Sequence, residues 1–281
     1  MREISVHALS DAVRELCLRA NYEIGPDIAE SIARACGEEI SPIGQSVLEQ
    51  LRENGRIARE EKIAICQDTG MAVLFVDVGQ DVHFVEGDFE AALQEGVRRA
   101  YREGYLRKSV VNDPLFDRGN TGDNTPAVVH LRIVPGERVA LLALAKGFGS
   151  ENTSAVKMLT PAQGEDAVLD FIVDTARRAG PNACPPLVIG VGIGGTMEQA
   201  AILAKRMTAR PVGVRHPDAR YARLEEEALA AVNRLGIGPG GVGGRTTALD
   251  VHVEYAPTHI AGLPVAVNIC CHAARHAEMI L

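Results

Sequence analysis

The stretch VNICCHAARH, residues 267–276, sets two cysteines side by side, Cys270 and Cys271, and follows them with His272, Arg275 and His276. Neighbouring cysteines are poorly placed to share one metal or to close an ordinary disulfide, so their chemistry depends on distant partners. Cys66 in IAICQDTG is expected at the end of a strand, Cys184 in the loop PNACPP, and Cys271 just after the strand LPVAVNI. Functional side chains are usually carried at such element ends. The close Cys-x-x-Cys pairs of structural zinc sites are absent, so a shared site for these thiols would have to be assembled by the whole fold. Separate core or free thiols, a zinc or redox module, and a three-thiolate cluster all fit the spacing. Cys66 is followed directly by Gln67 and Asp68, and His259 lies upstream of Cys271. Iron–sulfur cubanes normally take four thiolates. Three would leave one iron open as a Lewis acid, with Asp68 beside it as acid or base, which is the equipment of a dehydratase.

Two glycine-rich stretches offer other readings. Gly190-Val191-Gly192-Ile193-Gly194-Gly195 fits G-x-G-x-x-G between a strand and a helix, the fingerprint of a dinucleotide site. The strand expected next, PVGV, leads to Arg215-His216 and not to an acidic residue for a ribose. GPGGVGGRTT (238–247) has the amide density to take a carboxylate or a subunit contact, and equally the look of a tight structural turn.

These residues need elements to position them. Leu9, Val13, Leu16, Cys17 and Ala20 share one helical face, Ile28, Ile32, Ala35 and Cys36 a second, and Val47, Leu48 and Leu51 a third. Cys17 and Cys36 are therefore expected as small buried core residues. MAVLFVDVG and DVHFVEG read as strands. DFEAALQEGVRRAYREG reads as a helix with Asp88 as N-cap and Gly104 past its end. AVVHLRIV and RVALLALA flank Pro135-Gly136 as a hairpin. A helix ending at Gly180, the buried strand PPLVIGVGIGG, a helix from about Thr196 to Arg210 and a helix capped by Asp218 follow. TALDVHVEYA and LPVAVNI are the last strands. The order implies an α+β fold, one domain over 1–281, with a helical N-terminal part and a mixed sheet that carries the ligands at strand ends and loops.

The 281 residues suffice for a sizeable core, and 46% apolar with 23% charged residues is ordinary for a globular chain. The net charge of −8 argues against nucleic acid as a partner. No apolar run is long enough to span a membrane, and the N-terminus lacks the apolar core of a signal peptide. A cytoplasmic protein with reduced cysteines is expected.

Seven blocks, in order, resemble the alpha subunit of the two-subunit class I iron–sulfur fumarate hydratases, a family that also contains L(+)-tartrate dehydratase. They are CQDTG (66–70), LRKSVVNDPL (106–115), NTGDNTPAVVH (120–130), KGFGSENTSAVKML (146–159), ACPPLVIGVGIGGT (183–196), GPGGVGGRTTALDV (238–251), and THIAGLPVAVN with CHAARH (258–268, 271–276). The resemblance implies a [4Fe–4S] cluster held by Cys66, Cys184 and Cys271, with Cys270 a neighbour at a position where the family does not carry cysteine. It implies substrate contacts from Gln67, Asp68, Arg107, Gly149 and His259, with acid and base work shared by Asp68 and His259. Arg275 and His276 are expected as supports, and Lys146 and Lys157 as weaker anion-binding candidates. The implied reaction is the reversible dehydration of (S)-malate to fumarate, with L-tartrate as the alternative substrate. Single-chain relatives continue into a second domain that supplies more of the substrate contacts. A separate beta subunit is therefore expected to complete the active site, in a hetero-oligomer of two alpha and two beta chains.

Overall fold

The computed structural model describes residues 1–281 and is mixed helix and sheet, the α+β class expected. In chain order the first elements are β1 (Arg2–Ser5), α1 (Val6–Tyr22), α2 (Pro26–Glu38), α3 (Pro42–Glu61), β2 (Met71–Gly79), β3 (Val82–Val85), α4 (Phe89–Glu103), β4 (Val128–Val134) and β5 (Val139–Lys146). They are followed by α5 (Phe148–Glu151), β6 (Ala155–Leu159), α6 (Gly164–Ala179), β7 (Leu187–Gly194), α7 (Met197–Met207), α8 (Ala219–Asn233), β8 (Ala248–Ala256), β9 (Leu263–Cys270) and β10 (His276–Ile280). No helix is long and apolar enough to cross a membrane. The chain divides into two compact units, each discontinuous in sequence.

The first unit comprises residues 1–24, 55–148 and 275–281. Its four-stranded sheet has the order β10-β5-β2-β4. The expected hairpin of β4 and β5 does not form, because β2 lies between them, parallel to β4 and antiparallel to β5. Seven of the nine β2 residues are buried, which suits a central strand better than an edge. The Pro135-Gly136 turn spans that inserted strand, and Gly79 fits beneath it only without a side chain: a Cβ there would fall 2.4 Å from the Gly136 carbonyl oxygen. A parallel pair of β1 and β3 stands apart from this sheet. Helix α1 is capped by Ser5 and α4 by Asp88, whose carboxylate accepts the Ala91 N–H at 2.7 Å. The apolar stripes of the two helices pack with the sheet into one core through Leu9, Val13, Leu16, Leu93, Val97 and Val76.

The second unit comprises residues 25–54 and 149–274, around a sheet of order β6-β9-β7-β8. All eight residues of β7 are buried. The glycines of the G-x-G-x-x-G string have a packing cause. A Cβ on Gly190 would lie 2.0 Å from the Ala204 carbonyl oxygen, and one on Gly192 would lie 2.0 Å from that of Ala200. Helix α7 thus rests backbone to backbone on β7, with Ala200, Ala204 and Ala266 filling the seam. The expected strand PVGV is irregular. Two of its amides are taken by carboxylates instead of a ladder: Val212 N–H donates to Asp27 at 2.7 Å and Gly213 N–H to Asp250 at 2.7 Å, while Val214 N–H turns back to the Pro211 carbonyl at 3.1 Å. Buried Glu225 fixes the same segment by accepting from the Arg210 guanidinium, the His216 amide at 2.9 Å and the Val253 amide at 2.8 Å.

Candidate active site

In the first unit the CQDTG loop runs between α3 and β2. Cys66 lies in a bend and not at the end of a strand; extended structure starts only at Met71. The reason is local. One Asp68 carboxylate oxygen accepts the Gly70 N–H at 3.0 Å, which folds the loop on itself, and the other accepts the Phe148 N–H at 2.9 Å. Gly70 has φ 75°, and a Cβ there would lie 2.8 Å from the Lys146 backbone, so the loop lies flat against the end of β5. Buried Arg275, expected from the sequence as a support, donates from its guanidinium to the Asp68 carbonyl. The half-buried Cys66 thiol stands 3.4 Å from the exposed Gln67 side-chain oxygen.

Arg107 is exposed on the loop after α4, and that loop is tied to CQDTG by a buried polar lattice. Thr69 donates from its hydroxyl to the Arg107 carbonyl at 3.0 Å. The Tyr101 phenol, fully buried, donates to the Thr69 and Gly70 carbonyls at 2.8 and 3.0 Å. Burial pushes that phenol's pKa up, which keeps it protonated as a donor. Asn124 is also fully buried and in a left-handed conformation, φ 65°. Its amide nitrogen donates to the Gly70 carbonyl at 3.1 Å, and its oxygen accepts the Ser109 N–H at 2.7 Å. Asn124 and Tyr101 were not singled out from sequence. The turn-rich polar string NTGDNTP was the available signal for Asn124. Lys146 is buried near the Gly147 carbonyl, 3.4 Å away.

In the second unit Cys184 and Cys271 stand at the same end of the sheet. Cys184 follows a short 3-10 turn, is exposed, and has φ 55°. His272, next to Cys271, reaches it: its N–H donates to the Cys184 carbonyl at 3.4 Å, and its Nδ1 lies 3.2 Å from the same oxygen. Cys271 is half-buried, whereas Cys270, the last residue of β9, is 7% exposed. Cys270 ends a strand that is buried along nearly its whole length, whereas Cys271 lies just past the end of that strand. Gly149 lies near this cysteine loop, since a Cβ on it would meet only the Asn182 carbonyl, at 3.4 Å. Lys157, on β6, instead lies over the Phe171 ring.

His259 is elsewhere. It is exposed on the β8–β9 connection, its Nδ1 accepts the Ala261 N–H at 3.2 Å, and Thr258 beside it donates to the Gly195 carbonyl at 2.8 Å. That is the opposite end of β7 from Cys184 and Cys271. The eight residues of β7 separate the two ends by about 26 Å at the rise of an extended strand. The second unit therefore brings Cys184, Cys271 and Gly149 together and leaves His259 apart.

None of the six cysteines is joined in a disulfide. Cys17 is buried as expected, and burial pushes its thiol up to about 12. Cys36 departs from expectation: it is half-buried at the edge of the α2 stripe, its thiol raised by the burial it has. Neither unit by itself gathers three or more His, Cys, Asp or Glu side chains into a metal-holding group. Taken unit by unit, Cys66 in the first and Cys184 and Cys271 in the second are accessible thiols on loops or element ends, the kind of donor that a soft iron–sulfur group takes.

Residues 10–280 match the fumarate hydratase (Fumerase) family. The chain belongs to that family. It is 39% identical over 274 residues to a provisionally named L(+)-tartrate dehydratase subunit alpha of Methanocaldococcus jannaschii, covering 96% of each chain. It is 30% identical over 284 residues to L(+)-tartrate dehydratase subunit alpha of Escherichia coli and to that of Shigella sonnei, covering 100% of this chain and 93% of theirs. Fumarate hydratase family members of this kind are hydro-lyases, and the relatives' designation as subunit alpha implies a partner subunit for them.

Proposed function

We propose that this chain is the alpha subunit of a [4Fe–4S]-dependent hydro-lyase acting on a four-carbon dicarboxylate, with fumarate and (S)-malate as the reacting pair. Residues 1–281 form its alpha-type catalytic domain, Cys66, Cys184 and Cys271 are the cluster ligands, and Cys270 is not one. The observation that carries the reading is the fixation of Asp68. Both of its carboxylate oxygens are held by amides, next to Cys66 and on a loop tied to that of Arg107.

When bound, such a cluster supplies a Lewis acid toward an oxygen substituent. The protein's own residues do the rest. Asp68, pinned in one orientation, exchanges a proton with the substrate without reorganising. The exposed Arg107 guanidinium grips a substrate carboxylate through two parallel N–H bonds. The Gln67 side-chain amide and the Gly149 backbone amide add donors. His259 shares the acid–base work in this reading, although within the second unit it stands at the opposite end of β7 from Cys184 and Cys271. A beta subunit completes the active site in a complex of two alpha and two beta chains, working in the cytoplasm.

L-tartrate is the second reading, favoured by the names of the relatives. The test is anaerobic co-purification with the beta subunit, with iron and acid-labile sulfide measured on wild type and on Cys66→Ala, Cys184→Ala, Cys270→Ala and Cys271→Ala. Loss of the group in every variant but Cys270→Ala is expected, together with hydration of fumarate. A complex that dehydrates L-tartrate and leaves fumarate untouched replaces the first substrate by the second. A colourless protein without sulfide ends the cluster reading.

A further inference from the structure

The GPGGVGG loop has the amide density of an anion-holding nest, and it holds an anion that the chain itself supplies. Glu39, just past α2, is 2% exposed. Its carboxylate accepts the amides of Ile40 at 2.9 Å, Ser41 at 3.1 Å, Arg245 at 2.8 and 3.0 Å to its two oxygens, and Thr246 at 3.1 Å. Burial works to raise its pKa, but the four amides together outweigh burial and hold it below the ordinary glutamate value. A Cβ on Gly244, φ 137°, would lie 2.7 Å from the Glu39 carboxylate, so the close approach requires glycine.

The other side of the same loop lies on the segment that carries Cys184. Gly240 N–H donates to the Pro185 carbonyl at 2.8 Å. A Cβ on Gly241 would fall 2.3 Å from that of Pro181. Leu187 N–H donates to the Thr247 carbonyl at 2.9 Å. Pro181 and Pro185 bracket Cys184, whose own N–H reaches back to the Pro181 carbonyl at 3.1 Å. Its φ of 55° is a conformation that a residue with a side chain adopts only when its surroundings impose it.

We propose that Glu39 is a positioning residue for Cys184. Its carboxylate closes the 238–246 loop, and the closed loop imposes the left-handed backbone that aims the Cys184 thiol. That this thiol is aimed as a cluster ligand rests on the function proposed above; the coupling of Glu39 to Cys184 does not.

The test compares full-length wild type with Glu39→Gln and with Glu225→Gln. The second variant disturbs another buried carboxylate of the same unit, away from this loop. Metal-free protein is treated with iodoacetamide, and the alkylation rate of each cysteine is read by peptide mass spectrometry. Glu39→Gln is expected to change the Cys184 rate by about tenfold, the scale of a local opening, while Cys66 and Cys36 stay within about twofold. Glu225→Gln is expected to leave Cys184 among the unaffected cysteines. An unchanged Cys184, a uniform change at all cysteines, or an equal response to Glu225→Gln overturns the proposal. Should Glu39→Gln fail to accumulate, Glu39→Asp, which keeps the charge one methylene short, is read by the same criteria. A second arm loads iron and sulfide anaerobically and records the visible and paramagnetic spectra, which should differ between wild type and Glu39→Gln. If wild type takes up no cluster, the function proposed above fails, and the alkylation arm still decides the coupling.

Discussion

Replacing Asn124 by alanine removes two hydrogen bonds from a fully buried position, that to the Gly70 carbonyl at 3.1 Å and that from the Ser109 amide at 2.7 Å. Each such bond contributes about 1 kcal/mol net, and more where a partner is left unsatisfied. Gly70 keeps the Tyr101 phenol as a second donor, so its carbonyl is not stranded. Alanine at φ 65° adds about 1 kcal/mol of backbone cost. The expected loss is about 3 kcal/mol. With an unfolding entropy of about 2.1 cal/mol/K per residue, that lowers the melting temperature of a chain this size by about 5 °C. Asn124→Gly removes the same bonds without the backbone cost and should lose about 2 kcal/mol. Asn124→Asp keeps the oxygen that accepts from Ser109 but sets a second oxygen against the Gly70 carbonyl. Its deficit should shrink on acidification, as the new carboxyl protonates and becomes a donor. Calorimetry on the three variants, with urea midpoints at constant slope as a second measure, decides the matter. An alanine variant within about 0.5 kcal/mol of wild type, or a glycine variant less stable than the alanine one, refutes the assignment of side-chain and backbone contributions.

Gly192→Ala would push a methyl group to 2.0 Å from the Ala200 carbonyl oxygen, so it should cost about 3 kcal/mol or more and reduce soluble yield; a variant that melts with wild type would contradict the backbone packing of α7 on β7. Asp250 has its carboxyl lowered to about 2, with burial opposing and the His252 side chain and the Gly213 amide among the groups that prevail. A depressed carboxylate stabilises fully above its unfolded value of 3.8, and this contribution of about 2 kcal/mol is lost as pH falls from there through about 2. Acid titration of wild type against Asp250→Asn should therefore show the wild type losing more of its stability between those values, and parallel curves would count against the shift. His259→Asn should leave iron and sulfide content unchanged, since His259 stands at the opposite end of β7 from Cys184 and Cys271, and a loss comparable to that of Cys271→Ala would contradict that placement.

The helices were legible because their signals are local: one apolar stripe, with Asp88, Asp218 and Gly180 marking ends where the structure has them. Cys184 and Cys271 could be placed because each adjoins an obvious buried strand. Strand partnership was not legible in the same way. The tight turn between β4 and β5 reads as a hairpin, yet β2 separates them, and no short window of sequence reports which strand occupies the centre of a sheet. PVGV has a strand's composition, but two of its amides find the carboxylates of Asp27 and Asp250, which are distant in sequence. The same distance hides Glu39 from a loop whose glycines are conspicuous. Cys36 shows the limit of periodicity: it lies on the apolar stripe, but at its margin, where exposure is set by the neighbouring elements.

The order of strands in the first unit has a consequence for how the chain is made. β10 hydrogen-bonds to β5, but the whole main segment of the second unit is synthesised between them. While that segment emerges from the ribosome, β5 presents an unpaired edge, and its residues Val139, Leu141 and Ala143 await their final cover. The second unit's sheet is complete before β10 exists, so it can close first, and the closing step of the other sheet joins residues far apart in sequence. The nascent chain thus carries a sticky edge for nearly half of its synthesis, the interval in which a chaperone or a growing aggregate would compete with β10 for the same backbone groups.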